Sequence, residues 1–260
     1  MTHVLVVGAG HNGLVAAIHL AAAGLEVTVL EQAATPGGAT GSGEVTLPGF
    51  VHDHCAGFAP MAVVNPAVRE LELDIEWIDP PVAMAHPFDD GSAIALHRDV
   101  AATVDSLGSA GAGWTKAMEQ MLPQAELLAR AIFAPLPPGR DALRLVLALR
   151  AGTPRWGLRM LASVKRLGLD LFGGDTRATA WLAASAQHAG LPPTTAGSAA
   201  FGFLLQLIGQ SHGWVLPRTG MQALPDALAR RAAVHGAQVR CGADVEQVLV
   251  RGGRVAGVRL

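Results

Sequence analysis

Hydrophobic and polar positions divide this chain into three stretches of different rhythm. The first opens on a largely apolar run, His3 to Val7, which breaks into Gly8-Ala9-Gly10-His11-Asn12-Gly13 and resumes at helical spacing with Leu14, Ala17, Ile18 and Ala21. This predicts a buried strand, a glycine turn and a helix over roughly Asn12 to Ala23, stopped by Gly24. A second strand, Glu26 to Leu30, then leads to Glu31. The middle stretch starts with short apolar or alternating runs, Asp74 to Ile78 and Ala93 to His97. They are bounded by Pro80-Pro81 and Asp89-Asp90-Gly91, so strands joined by turns are expected. From Asp99 the spacing is helical, near Ala112 to Phe133, Arg140 to Ala151, Trp156 to Leu171, Thr176 to Ala189 and Thr195 to Leu207. Breaks fall at Pro135-Leu136-Pro137-Pro138, Thr153-Pro154, Gly173-Gly174 and Pro192-Pro193. The last stretch reads as a helix, Met221 to His235, opened by Gly220 and ended by Gly236. A strand, Gln238 to Cys241, follows, and Val245 to Val250 and Arg254 to Leu260 form a hairpin around Arg251-Gly252-Gly253.

The glycine turn carries chemistry because each glycine sits where a side chain would obstruct something. Gly8 lets the strand turn sharply, Gly10 lets backbone approach a pyrophosphate, and Gly13 lets the helix pack closely on the strand. The helix directs its positive N-terminal end at the phosphates. Glu31, about twenty residues on, is placed to accept both ribose hydroxyls of an adenosine, which disfavours a 2′-phosphate. Gly8, Ala9, Gly10, His11, Asn12, Gly13 and Glu31 are therefore candidate dinucleotide-binding residues. A lone glycine motif can be an ordinary turn, but here strand, helix, second strand and acidic end occur in order. Which dinucleotide binds is left open at this point.

Composition narrows the classes. Of 260 residues, 50% are hydrophobic, enough for a large core and two domains. A formal charge of −2 with 15% charged residues gives no long-range attraction for nucleic acid, which is excluded as a main partner. Cys55 and Cys241 are far apart without a CxxC motif. Neither a disulfide framework nor a redox dithiol is indicated, and both read as core residues. The glycine turn interrupts the N-terminal apolar run, which is neither signal peptide nor membrane span, so a cytoplasmic protein is expected.

Beyond Glu31 come Pro36-Gly37-Gly38-Ala39-Thr40, Leu47-Pro48-Gly49-Phe50 and Asp53. With GAGHNGL, AHPFDDG at Ala85 to Gly91 and LPRTGMQALPDAL, these residues make the chain resemble the flavin-dependent phytoene desaturase and amine oxidase superfamily, in its phytoene-dehydrogenase-like branch. The resemblance runs along the whole chain and is clearest at its two ends. It implies an α/β fold: a Rossmann-like FAD-binding domain of the glutathione-reductase-like superfamily, with an inserted, largely helical α+β substrate domain. The expected division is 1–72 and 213–260 for the FAD-binding domain and 73–212 for the substrate domain. The resemblance adds Gly37, Gly38, Ala39 and Thr40 as a second loop on the FAD pyrophosphate, and Val245 as an adenine contact through its backbone. Asp53 is expected to support the cofactor loop. A second GxGxxG is lacking, so a dedicated NAD(P)H domain is not expected. Family members continue past the position of Leu260 with a segment that touches the flavin, so the chain is expected to be an N-terminal half, doubtful in activity alone.

The implied function is an FAD-dependent oxidoreductase that dehydrogenates or isomerises a small hydrophobic, polyene-like substrate by hydride transfer to flavin. Alternatives are an NAD-dependent dehydrogenase and a non-catalytic FAD-binding or interaction protein. No catalytic residue can be named. His52 and His54 are two apart on one strand face, and with Asp53 they suggest a metal site, but no further ligand stands at a convincing spacing, so no metal is expected. His86 and Asp90 suit a plain turn. Arg140, Arg144, Arg150, Arg155, Arg159, Lys165 and Arg166, interleaved with apolar residues, could lie on an anionic bilayer as a peripheral membrane contact over 140–166, although a solvated helix face is the commoner meaning. Phe201 to Ile208 suits a tunnel lining and core packing equally.

Overall fold

The structure, a computed structural model, describes residues 3–134, 139–149 and 152–260. The expected break at Pro135-Leu136-Pro137-Pro138, Arg150 and the end of its helix at Ala151 lie outside the described residues. In chain order, β1 (His3–Val7), α1 (His11–Ala22) and β2 (Glu26–Leu30) precede β3 (Ser42–Glu44), β4 (Val51–Asp53), α2 (Pro60–Val64), α3 (Pro66–Arg69) and β5 (Trp77–Ile78). Next come β6 (Val82–Pro87), β7 (Ala93–His97), α4 (Val100–Leu107), α5 (Gly111–Met121), α6 (Ala125–Ile132), α7 (Arg140–Leu149) and α8 (Thr153–Leu161). The chain continues through α9 (Val164–Phe172), α10 (Thr176–Ala186), α11 (Ser198–Ser211), β8 (Leu216–Pro217), α12 (Ala223–Val234), β9 (Gln238–Arg240), β10 (Gln247–Arg251) and β11 (Arg254–Arg259).

Two compact units result. One holds the chain through Ala59, Ala67–Ile78 and Leu216–Leu260, and the other holds Pro60–Pro66 and Asp79–Val215. In the first, β1, β2 and β9 form a parallel sheet in that order, with Val4 opposite Val27 and Thr28 opposite Gln238. The central strand β2 buries Val27, Val29 and Leu30. Parallel neighbours need a crossover, which α1 supplies between β1 and β2. The apolar stripe of α1, Leu14, Ala17, Ile18 and Ala21, is buried, and α1 packs against α12, which buries Leu224, Ala227 and Leu228. Antiparallel pairs β3–β4, β5–β8 and β10–β11 complete this unit. The α/β nucleotide-binding architecture anticipated from the sequence is thus present.

The second unit is helical around an aromatic core, with the β6–β7 hairpin added. Trp114 meets Trp181 edge-on at 5.1 Å and Phe203 at 5.7 Å, and Phe203 lies 5.0 Å from Trp156. Such aromatic pairs contribute about 0.5–1.5 kcal/mol each beyond their buried area. Phe203 is wholly buried, so at this residue core packing prevails over a tunnel lining. The Trp114 indole N–H donates to Gln210 Oε1 at 2.9 Å, while Gln210 Nε2 donates to Thr103 Oγ1, satisfying polar groups the core would otherwise strand. The segment Pro60–Pro66 joins this unit because Val64 packs against Ala129 and Ile208.

Several elements differ from expectation for identifiable reasons. The long helix expected from Ala112 to Phe133 is two helices, because Pro123 cannot continue the α ladder and Leu122–Gln124 tightens to a 3₁₀ turn. The helix expected over Trp156 to Leu171 breaks at Ala162, and Ser163 caps the new helix by accepting the Arg166 N–H. Only Trp77–Ile78 of the run from Asp74 is strand, set by pairing with β8. His86 lies within β6, whereas Asp90 lies in the turn. Hydrogen bonds from Ser92 and then Arg177, 2.6 Å away, hold the Asp90 carboxyl well below the usual carboxylate range. Cys55 and Cys241 are exposed instead of buried, because both sit at bends just past the last paired residue of β4 and β9. Partial burial and then the charge of Glu31 push the Cys241 thiol pKa up. No helix among the described residues is long and apolar enough to cross a membrane.

Candidate functional site

The C-terminal edge of the parallel sheet gathers most of the sequence-predicted site residues. Gly8 turns the chain at φ +96°, and its N–H donates to Leu30 O at 2.7 Å, tying the turn to β2. The first intrahelical bond of α1 runs from Leu14 N–H to Gly10 O at 3.0 Å, so the N–H groups of His11, Asn12 and Gly13 precede the ladder. No side chain caps this end, and its first turn carries no acidic residue. A Cβ on Gly10 would meet nothing within 4 Å. The N-terminus is therefore an uncapped donor cluster with free space on the Cβ side of Gly10, the arrangement that suits a phosphate. Gly13 serves packing instead, because a Cβ there would be driven into the Gly8 carbonyl oxygen.

Glu31 follows β2 and is buried. Its Oε2 accepts the Ala9 N–H at 2.7 Å and its Oε1 the Ala33 N–H at 2.9 Å. Each carboxylate oxygen keeps a further lone pair, so the same group can brace the turn and accept ribose hydroxyls. The Glu31 N–H donates to Arg240 O, and the Ala243 N–H donates to Glu31 O at 2.8 Å. The chain carrying Val245 thus passes beside Glu31, while Val245 itself is half-buried ahead of β10.

The second glycine loop lies directly on the first. Gly37 N–H donates to Ala9 O at 3.0 Å, Gly37 bridges Gly10, and a Cβ on Gly38 would stand 3.3 Å from Gly10 Cα. Gly38–Thr40 form a 3₁₀ turn held by Thr40 Oγ1 donating to Gly37 O, and Ala39 O accepts the Ala56 N–H. One cradle therefore contains Gly8 to Gly13, Glu31 and Gly37 to Thr40.

Asp53 was expected to support the cofactor loop, but sequence reading missed its partners Ser42 and Gln222, which hold this second loop. Gln222 Nε2 donates to Pro36 O at 2.8 Å and its Oε1 accepts the Ser42 N–H, while Ser42 Oγ accepts the Gln222 N–H. Asp53 Oδ1 accepts from Ser42 Oγ at 2.6 Å and from Met221 N–H at 2.8 Å. The available signal was the LPRTGMQALPDAL stretch, which contains Gln222 without revealing its partners. Asp53→Asn should keep the geometry but lose the charge assistance, costing about 1 kcal/mol. A fall in Tm of about 2–4 °C in thermal unfolding would register it.

The remaining candidates are not gathered here as a metal site. His52 hydrogen-bonds Thr46 Oγ1, whereas the His54 ring lies over Gly41 and Gly43. Among the described residues no group of three or more His, Cys, Asp or Glu is placed to hold a metal ion. Arg155 and Arg159 share Asp170, and Arg144 pairs with Asp141, so part of the basic stretch is neutralised locally.

Residues 6–71 match the family of NAD(P)-binding Rossmann-like domains. Over 99% of its length the chain is 32% identical to a hydroxyneurosporene desaturase from Cereibacter sphaeroides, covering 52% of that protein. It is also 32% identical to a phytoene dehydrogenase from Streptomyces griseus, over 98% of this chain and 51% of the relative. The chain spans about half the length of the curated relatives it matches. An oxidoreductase structure from Methanosarcina mazei superposes with a TM-score of 0.58 at 17% identity, covering 99% of this chain and 55% of the other, a likeness of fold alone.

Proposed function

Because the chain is similar over nearly its whole length to curated hydroxyneurosporene and phytoene desaturases, we propose that it binds FAD and contributes to dehydrogenating or isomerising a hydrophobic, polyene-like substrate. The observation carrying this reading is the uncapped α1 N-terminus, open above Gly10 and walled by Gly37–Gly38 and Glu31. The donor set fits the group: N–H groups of the first turn of α1 for the pyrophosphate, Glu31 for the adenosine ribose, and the backbone near Val245 for the adenine. When bound, FAD supplies an isoalloxazine that takes a hydride from a substrate C–H. The residues of this chain bind and orient; Glu31 and Gln222 fix the two loops so that little ordering remains on binding.

Reconstitution with excess FAD, followed by a visible spectrum and identification of the extracted nucleotide, tests the reading. A bound flavin supports it. Binding of NAD alone would favour an NAD-dependent dehydrogenase, and flavin that photoreduces without turnover on any substrate, beside tight partner binding, would favour a non-catalytic role.

Substrate delivery from a bilayer is part of the same proposal. Leu143, Leu147, Leu158 and Leu161 on α7 and α8 are each at least 61% exposed, in the same stretch as the exposed Arg140 and Arg166. Apolar and basic side chains together suit an anionic lipid surface. Leu158→Ser with Leu161→Ser should weaken co-sedimentation with phosphatidylglycerol vesicles by about tenfold or more, since burying each leucine contributes about 1.5 kcal/mol or more. Unchanged sedimentation would reject this surface.

A further inference from the structure

A cavity of about 510 Å³ lies in the helical unit, bordered by β6, α9, α10 and Pro193. Its origin is a close helix crossing: a Cβ on Gly168 of α9 would collide with Thr179 of α10, and beyond this contact the two helices leave space. The walls are apolar, formed by Leu169, Ala180, Ala184 and Pro193 among others, and the size falls within the roughly 300–1,000 Å³ of small-molecule clefts. The polar side chains among its lining residues are Lys165, His86, Gln187, Thr176 and Thr179, and none of the lining residues is acidic.

Charge decides which ligand suits this space. Of the nearby bases, Arg155 and Arg159 are matched by Asp170 and Arg177 by Asp90, while Arg166 lines a separate hollow with Asp170. Lys165 makes no ion pair among the described residues; its backbone N–H is fixed to Pro193 O at 3.0 Å, but its ammonium is left for solvent or ligand. An entirely hydrocarbon guest would fill the walls without using that exposed cation, and an amine would be repelled by it. A carboxylate can take a charge-assisted hydrogen bond from Lys165 and further bonds from His86 or the Gln187 amide.

We propose that this cavity binds one molecule of a long-chain carboxylate, with its chain along α10 and its head at Lys165. The site is built by the helical unit alone and goes beyond the oxidoreductase reading. It requires no flavin, so either proposal can fail without the other.

Calorimetric titration of the full chain with oleate below its critical micelle concentration, with oleyl alcohol and oleylamine in parallel, tests it. One saturable oleate site per chain is expected, with the alcohol weaker by about fivefold, the scale of an exposed charge pair, and the amine weaker still. Lys165→Met should weaken oleate by a similar factor and leave the alcohol unchanged. Ala184→Trp should abolish both while circular dichroism and cooperative melting are retained; Ala180→Phe replaces it if that variant fails to fold. Equal affinity for acid and alcohol, oleate binding undiminished in Lys165→Met, or binding insensitive to a folded cavity-filling variant overturns the proposal.

Discussion

Gly13→Ala is expected to weaken nucleotide binding about a hundredfold or more and to lower the melting temperature by about 5–10 °C. The added methyl would meet the carbonyl oxygen of Gly8, a backbone atom fixed by the turn, with Val6 at 3.4 Å on the same side. No rotamer change relieves such a clash, so α1 has to move off β1. Overpacking of this kind costs about 1–3 kcal/mol, and each kcal/mol shifts Tm by about 2–4 °C at this size. The functional loss is larger, because the same displacement moves the His11, Asn12 and Gly13 N–H groups away from the phosphate position. FAD affinity should fall about a hundredfold or more, equivalent to about 2.7 kcal/mol. Fluorescence titration with FAD, alongside thermal unfolding of the ligand-free protein, measures the two effects. FAD affinity within a few-fold of wild type would show that the turn does not bind the pyrophosphate.

Glu31→Gln separates bracing from ligand recognition. The amide retains one acceptor for either Ala9 or Ala33 and turns its N–H₂ toward the other backbone donor. Ala9 is fully buried, so a lost partner there is not replaced by water. A hydrogen bond to a charged group contributes about 1.5–3 kcal/mol, and a Tm loss of about 4–8 °C without ligand is expected. Loss of the charged acceptor for the ribose hydroxyls should lower FAD affinity by a further tenfold or more, about 1.4 kcal/mol. Glu31→Asp, one methylene short of spanning Ala9 and Ala33, should be no better. A variant with reduced Tm and undiminished FAD affinity would confine Glu31 to bracing the turn.

What was legible in the sequence follows from how local each signal is. The run from His3 to Glu31 declares itself because strand period, glycines, helix period and acidic end are neighbours within one crossover. Gly37–Gly38 added a second loop, but only the structure shows it pressed on Gly10 and clamped by Gln222. Gln222 and Ser42 are 180 residues apart, and a hydrogen bond over that separation leaves no periodic trace. The helix breaks at Pro123 and Ala162 were hidden by apolar positions that stay in phase across them, since both halves bury residues in one core. His86 read as part of a turn because its Pro87 neighbour suggested one; pairing with Ile94 of β7 puts it in a strand and on the cavity rim. The cysteines followed composition, which does not register that each lies one or two residues beyond its strand.

Strand β9 completes the wall beside Glu31, and it is made long after the turn that it supports. At about 5–20 residues per second of synthesis, the 180 residues between Ser42 and Gln222 take roughly 10–35 s to leave the ribosome. During that interval the nascent β1–α1–β2 segment has neither its outer strand nor the Gln222 clamp, and the helical unit between them can collapse first on its own aromatic core. Completion of this cradle is then a late event in the synthesis of these residues, because its outer strand and its clamp are the last of its parts to be made.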